Sequence, residues 1–130
     1  MEVNFEKKYG FVYVLKNSSL PNWVKIGRTN NVDRRIRELN TGLPSPFFLH
    51  KAWVMNDEVT AEKICHESLA NIRTQHGTEF FSVPTDPITK YYDEYELEDY
   101  PLDNLVDYIE DVLLSRGVLF EDAYHPQLMG

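Results

Sequence analysis

The chain has 130 residues, of which 42% are hydrophobic and 13% aromatic, and its formal net charge is −8. This length and composition predict one domain with a hydrophobic core and exclude a globally disordered chain. The longest apolar run, Phe11–Leu15, is far shorter than a membrane span, and the segment MEVNFEKKYG lacks the apolar stretch of a signal peptide. The single cysteine, Cys65, cannot form an intramolecular disulfide, which fits a reducing compartment. We therefore expect a cytoplasmic protein, and from the short apolar run we expect no membrane association.

The charge is divided unevenly between two parts of the chain. Residues 1–83 carry 11 Lys/Arg and 9 Asp/Glu, a net of +2, whereas residues 84–130 carry 2 and 12, a net of −10. A total of −8 disfavours a nucleic-acid partner, but the locally basic first part does not. We therefore predict a core at residues 1–83, followed by an acidic helical extension at residues 84–130 that packs on the core or regulates it.

The first predicted elements are two strands that form a hairpin. Phe11–Leu15 is rich in β-branched and aromatic residues, a polar turn with one proline follows, and Trp23–Arg28 is the returning strand. Side chains alternate between the two faces of a strand, so Tyr13 should share a face with Lys25 and Gly27. The opposite face, which we expect to point into the core, holds Val12, Val14, Val24 and Ile26.

Two helices and further extended segments follow the hairpin. An Asn-Asn pair precedes residues 32–39, where apolar residues recur at helical spacing and Arg35 lies at the edge of the apolar stripe. Residues 47–55 predict a third strand, residues 59–73 a second helix, and residues 79–83 a short extended segment. In the acidic part, residues 86–95 predict a short helix, residues 101–116 a longer amphipathic helix, and residues 121–130 a loose terminus.

The residue types on the hairpin and the two helices suit hydrolysis of a phosphodiester bond. That reaction needs a base for the attacking water, cations beside the developing charge, and a metal ion. Arg28 and Arg35 offer permanently charged forks that match phosphate oxygens, and Glu62 is a hard oxygen ligand suited to Mg²⁺. Tyr13 has an intrinsic pKa of about 10, so it would act as a base only beside cations such as Lys25 or the metal.

At these residues the chain resembles the GIY-YIG nuclease superfamily, in particular its small phage- and bacterial-type branch, over about residues 9–83. The two family signatures correspond to Phe11-Val12-Tyr13 and Lys25-Ile26-Gly27, and EFFSV corresponds to the segment that closes the family core. The resemblance implies an α+β fold with a small three-stranded antiparallel sheet flanked by helices. It also implies metal-dependent hydrolysis of DNA at a single active site, with one Mg²⁺ or Mn²⁺ ion.

The resemblance also implies a role for each matched residue. Tyr13 would be the general base or orient the water, Arg35 would stabilise the phosphate in the transition state, and Glu62 would hold the metal. Gly27 would let the backbone approach the substrate closely, since it has no Cβ. The remaining predicted site residues are Lys25 and a supporting His66 among the catalytic groups, and Arg28, Arg34 and Arg37 among the DNA-binding groups.

The chain departs from the family pattern at two places. Lys25 stands where the second signature has a tyrosine, and the family asparagine that follows the metal-binding glutamate has no clear counterpart. Asn71 and Glu79 are the candidates for that asparagine. No DNA-targeting domain is evident, so specificity would come from loops, from a homodimer or from a separate targeting partner.

The sequence also allows a function of a different class. A catalytically silent module could bind nucleic acid or protein, with the acidic C-terminal segment as its interface or as a DNA mimic. Lys25 and the total charge favour this alternative, whereas Tyr13, Arg35 and Glu62 together favour the enzyme. Taken singly, each residue has an ordinary structural explanation, such as packing of a strand tyrosine or a solvated arginine face on a helix.

Overall fold

A five-stranded antiparallel sheet with three helices forms the part of the chain that the computed structural model describes, residues 9–83 and 101–123. The strands are β1 (Gly10–Asn17), β2 (Trp23–Thr29), β3 (Phe47–Met55), β4 (Phe80–Ser82) and β5 (Glu121–Asp122). The helices are α1 (Val32–Asn40), α2 (Glu58–Ser68) and α3 (Pro101–Ser115). The strand order is β4-β2-β1-β3-β5, so the hairpin of β1 and β2 lies inside the sheet.

The α+β class is confirmed, but the prediction of a three-stranded sheet was wrong. Both additional strands lie at the edges and are only two or three residues long, which is too short for a recognisable period of two. β4 comes from the predicted extended segment and pairs with β2. β5 falls in the segment predicted as a loose terminus, where Asp122 pairs with Trp53 and its carboxylate lies 2.8 Å from the Lys51 ammonium.

Strand β1 is central in the sheet, and its side chains alternate between two hydrophobic cores. Val12 and Val14 belong to the larger core and Tyr13 to the smaller one. The register between β1 and β2 places Tyr13 directly opposite Gly27, with Lys25 two residues away on the same face. The predicted hairpin and its two faces are therefore confirmed.

Helix α1 covers the smaller core. It begins after Asn31, whose side-chain oxygen accepts a hydrogen bond from the Arg34 backbone N–H, as the Asn-Asn pair predicts. Its buried stripe packs against β1 and β3. The smaller core consists of Tyr13, Leu15, Val32 and Ala52, with Ile36 and Leu39 at its margin.

Helices α2 and α3 contribute to the larger core on the opposite face of the sheet. α2 begins after Asp57, whose carboxylate accepts a hydrogen bond from the Thr60 N–H. It ends at Ser68, five residues before the predicted end, and Ala70–Ile72 forms a 3-10 turn. In an α-helix and in a 3-10 helix alike, residues three positions apart lie on the same side. The spacing of the apolar residues therefore did not reveal where the α-helix gives way to the 3-10 turn.

Helix α3 closes the larger core with one face and presents acidic residues on the other. Its buried residues are Leu102, Leu105, Ile109 and Leu113. The Glu110 carboxylate accepts a hydrogen bond of 2.8 Å from the Trp53 indole N–H, and it lies 3.9 Å from the Lys51 ammonium. The domain boundary at residue 83 and a regulatory role for residues 84–130 remain predictions.

The short helix predicted at residues 86–95 lies outside the residues that the structure describes. No helix of residues 9–83 or 101–123 is long and apolar enough to cross a membrane.

Candidate active site

The backbone at Gly27 forms the floor of a small space on the face of β2 that carries Tyr13. A Cβ at this position would collide with the Glu79 carboxylate oxygen Oε1 and would lie 2.5 Å from the Tyr13 hydroxyl. Only glycine therefore fits here without a shift in its neighbours. Because Gly27 has no side chain, the Glu79 and Tyr13 oxygens can both lie against its backbone.

The Tyr13 side chain is buried, with 1% of its surface exposed. Among the described residues, no group meets hydrogen-bond geometry with its hydroxyl. Burial raises the pKa of Tyr13 above its ordinary value of 10.0, and the Glu79 and Glu62 carboxylates act in the same direction, against the nearby Arg35 guanidinium. A buried hydroxyl without a partner is costly in a folded protein, and the Arg35 guanidinium is the cation that interacts with this one.

Arg35 reaches this space from α1. It lies at the margin of the buried stripe, as its position on the helical wheel predicts, and it is half-buried. The Tyr13 hydroxyl, followed by the Glu79 and Glu38 carboxylates, raises the pKa of Arg35, so its charge is permanent. The arrangement places a cation beside a neutral phenol.

Helix α2 approaches the space from the other side of the sheet, along the outer edge of β2. In the part of the chain that the structure describes, no strand pairs with this edge beyond Lys25. The His66 imidazole Nε2–H donates to the Ile26 carbonyl oxygen at 2.9 Å, so His66 attaches α2 to the edge. One turn earlier, Glu62 Oε1 lies 3.4 Å from Nε of Arg28. The Glu62 carboxylate is also close enough to Tyr13 to contribute to its raised pKa.

Glu79 is the site residue that sequence reasoning assigned only as a candidate for the missing asparagine. Its backbone carbonyl accepts a hydrogen bond from the Ile26 N–H, just before β4 begins. Its Oε2 lies 3.1 Å from the ammonium of Lys25, which is only 7% exposed and also lies over the Phe80 ring. A lysine on an inward strand face requires an acidic partner, and that requirement is the signal that could have identified Glu79.

We call the group formed by Tyr13, Lys25, Gly27, Arg35, Glu62 and Glu79 the edge site. An open cleft of about 380 Å³ lies beside it, lined by Arg28, Thr29, Asn30, Arg34, Arg35, Glu38 and Glu58. The Arg34 guanidinium donates to the Asn30 side chain at 2.5 Å, which orients it along the cleft. Arg37 is exposed in the last turn of α1 and does not line the cleft; Asn71 is exposed in the 3-10 turn.

The donor groups limit the metal that the edge site could hold. Within the described residues, no three His, Cys, Asp or Glu side chains form a cluster for a metal ion. Glu62 therefore offers a single carboxylate, which suits Mg²⁺ because that ion commonly keeps most of its waters. Cys65 is not a ligand or nucleophile candidate, because burial raises its pKa to about 12.

Comparison with known proteins identifies one family. Its model, the T5orf172 domain, matches residues 10–96. No curated protein and no solved structure matches the chain. The matched family is distinct from the GIY-YIG superfamily, although its fold is a related, nuclease-like one, so the assignment to GIY-YIG was wrong.

The family match also bears on the expected partners. A nuclease-like, DNA-binding domain family is compatible with a nucleic-acid partner, whereas the match gives no support to a homodimer. The matched segment contains the whole edge site and extends past β4. Since the match covers about two-thirds of the 130 residues, the chain belongs to the T5orf172 domain family.

Proposed function

We propose that the protein is a metal-dependent endonuclease that hydrolyses DNA phosphodiester bonds at the edge site. The main support is that Tyr13, which lies against the bare backbone of Gly27, is within electrostatic reach of Arg35 and Glu62, which come from two other elements. These groups offer a hydroxyl, a permanent cation and a metal-binding carboxylate in one place. Membership in a nuclease-like family supports DNA as the partner.

The cations of the edge site and the cleft have the geometry to bind phosphate. Arg35 lines the cleft, so its guanidinium would contact a phosphate bound there and stabilise the charge that develops during attack. Arg28 and Arg34 line the cleft and would contact the phosphates on either side. Arg37 lies outside the cleft, so its contribution would be limited to general attraction of DNA.

Glu62 is the residue that would hold the metal. Its carboxylate is half-buried, and its present partner, Arg28, has a side chain that is 46% exposed and lines the cleft. When bound, one Mg²⁺ or Mn²⁺ ion supplies positive charge at the phosphate and makes a bound water more acidic. His66, whose Nε2–H is committed to the Ile26 carbonyl, positions α2 and thereby Glu62.

The test is cleavage of supercoiled plasmid by the purified full-length protein with Mg²⁺ or Mn²⁺. We expect the wild type to nick or linearise the plasmid, and Glu62→Ala to lose at least about 100-fold in rate because the metal ligand is removed. Glu67→Ala is the matched control, since Glu67 is an exposed carboxylate on the same helix. We expect that control to cleave at the wild-type rate.

Three outcomes decide the proposal. Loss of cleavage in Glu62→Ala alone supports it. Equal cleavage by the wild type and Glu62→Ala indicates a contaminating nuclease. No cleavage by the wild type with either metal contradicts the proposed endonuclease.

The silent binding module is the second candidate function. Two ion pairs favour it, because Lys25 neutralises Glu79 and Arg28 neutralises Glu62 without any added cation. In that case the wild type binds a DNA duplex or a protein partner, does not cut plasmid, and gains no affinity from Mg²⁺. Binding of duplex DNA measured with and without the metal separates the two functions.

A further inference from the structure

Three aromatic rings lie beside β2 on the face of the sheet that carries Gly27. The centre of the His76 ring lies 4.7 Å from that of Trp23, with an angle of 35° between the planes, and the Phe80 ring lies 6.1 Å from Trp23. We call these three rings the aromatic row. Trp23 and Phe80 are half-buried and belong to neither hydrophobic core, and His76 is exposed. The rings therefore pack on each other at the surface instead of filling the interior.

The loop before β4 holds His76 against Trp23. The backbone N–H of Thr74 donates to the Phe80 carbonyl oxygen at 2.9 Å, which closes the loop at its base. Within it, the His76 backbone N–H donates to Thr74 Oγ1 at 3.2 Å, and Gly77 has a φ of +85°, in the left-handed region that favours glycine. The pair of rings is thus formed before any ligand arrives, so binding to it costs little ordering.

The charge around the aromatic row suits an anionic partner. Neither residues 16–23 nor residues 69–78 contain Asp or Glu, although the chain has 21 of them. Glu79 follows the second segment directly, and its carboxylate lies 3.1 Å from the Lys25 ammonium. An anionic strand that approaches the rings therefore meets no unpaired carboxylate in the two segments that carry them.

The aromatic row also continues the path of the cleft. Trp23 lies four residues before Gly27 on β2, which is about 13 Å along a strand, and Arg28 of the cleft follows Gly27 directly. A bound single strand of a few nucleotides spans such a distance. Its bases can lie on aromatic side chains when they are unpaired and unstacked, whereas in a duplex the neighbouring base pairs cover their faces.

On the basis of the proposed function, in which DNA is the substrate, we propose that the aromatic row stacks an unpaired base of the bound strand. The preferred substrate is then DNA with single-stranded nucleotides beside the bond to be cut, rather than a continuous duplex. The arginines of the cleft hold the phosphates of any DNA, whereas the aromatic row recognises only the unpaired part. Stacking of one base on an aromatic side chain commonly contributes about 5- to 150-fold in affinity.

The test is fluorescence anisotropy, without added metal, of a labelled blunt duplex and of the same duplex with a single-stranded extension. We expect the wild type to bind the extended duplex at least about 5-fold more tightly. Trp23→Leu and His76→Ala should each remove most of this difference and leave the affinity for the blunt duplex unchanged. Because the extension has the same phosphates in every measurement, their loss of preference separates stacking from added charge.

Phe48→Ala is the matched control for these two variants. Phe48 is 51% exposed and pairs with Lys16, so its ring lies on the other face of the sheet. We expect Phe48→Ala to keep the wild-type preference. If Trp23→Leu does not fold, His76→Ala still decides the matter, because removal of an exposed side chain leaves no cavity in the core.

Tryptophan emission provides a second readout that needs no variant of the core. The chain has two tryptophans, and Trp53 is completely buried, so an oligonucleotide that contacts the surface changes the emission of Trp23. We expect a single-stranded oligothymidylate to quench the wild type and the blunt duplex to leave its emission unchanged. Trp23→Phe keeps an aromatic ring, so it should keep the preference for the extended duplex and lose the quenching.

The failures of the two proposals are distinguishable. Equal affinity of the wild type for both DNAs, or a preference that survives in both Trp23→Leu and His76→Ala, would overturn the stacking site and assign the rings to packing alone. A wild type that shows the preference and the quenching but cuts no plasmid would contradict the endonuclease and keep the stacking site. A wild type that binds neither DNA would contradict both.

Discussion

Tyr13 carries a hydroxyl that is hidden from solvent yet lies among charges of both signs. Burial and two carboxylates favour the protonated phenol, and one guanidinium opposes them. The net result is a raised pKa, the opposite of what a base at neutral pH needs. At the scale of single residues, therefore, the surroundings of Tyr13 keep it a neutral phenol at neutral pH.

The opposing roles of the charges lead to a prediction for the Tyr13 titration. Arg35→Met should raise the pKa of Tyr13 further above 10.0, because the guanidinium that favours the phenolate is removed. The measurement is a pH titration of the Tyr13 Cζ resonance by NMR, with Tyr13→Phe to assign the signal. Arg37→Met is the control, since Arg37 is exposed and lies outside the cleft.

The same shift fixes the direction of a stability change in alkali. Because the folded-state pKa lies above the unfolded value, Tyr13 contributes stability that is fully present below pH 10 and is lost as pH rises through the folded pKa. A Tyr13 resonance that titrates at or below pH 10 would contradict this account of its surroundings.

Helix α3 shows how an element can look regulatory in sequence and be part of the core in structure. Its apolar stripe is continuous with the core built by β1, β2 and α2. Its Glu110 carboxylate binds Trp53 on β3, and none of its described residues lines the cleft beside the edge site. The position of α3 therefore favours a contribution to stability over direct competition with DNA.

We predict that Ile109→Ala destabilises the whole described fold rather than α3 alone. Ile109 is 1% exposed, and deletion of such a buried side chain costs about 2–5 kcal/mol. Leu114→Ala on the same helix is the control, since Leu114 is 56% exposed and should cost less than about 0.5 kcal/mol. Urea unfolding followed by the fluorescence of Trp53, with Trp23→Phe in every variant, gives both values. An unchanged Trp53 transition in Ile109→Ala would indicate that α3 is a separate unit.

The elements also show which features a single sequence reveals. α1 and β3 follow from strong hydrophobic periods and an N-cap, and they begin where the sequence predicts. β4 and β5 are too short to have a period, and only their pairing with neighbours makes them strands. That Tyr13 and Gly27 share a face was predictable from the alternation of side chains in the hairpin. The Lys25–Glu79 ion pair was not, because tertiary packing brings together residues 54 positions apart.

For the molecule as a whole, the important electrostatic quantity is the distribution of charge rather than its total. The cleft beside the edge site has three arginines and two glutamates, within a chain whose net charge is −8. DNA affinity that depends on a few cations should fall with salt by a slope of only about 0.9 for each phosphate contact. Two acidic residues of α3, Asp103 and Glu110, lie beside His50 and Lys51 of β3 and do not line the cleft.

This distribution predicts which arginine controls DNA affinity. Arg34→Gln should weaken binding of a duplex of any sequence and reduce the slope of log affinity against log salt by about 1, because one phosphate contact is lost. Arg116→Gln should change neither, since Arg116 follows α3 and lies outside the cleft. Fluorescence anisotropy over a series of NaCl concentrations measures both. Equal slopes for the wild type and Arg34→Gln would place the DNA on another face.

The outer edge of β2 beyond Lys25 has a consequence for solubility. An uncovered strand edge is a template on which another polypeptide can add a strand, and this is a common route to aggregation. Here the exposed Arg28, the Glu62 beside it and the imidazole cap on Ile26 obstruct that approach. The groups that would meet a nucleic acid therefore also protect the molecule from self-association, so a variant that silences the chemistry by removing these charges can expose a surface prone to aggregation.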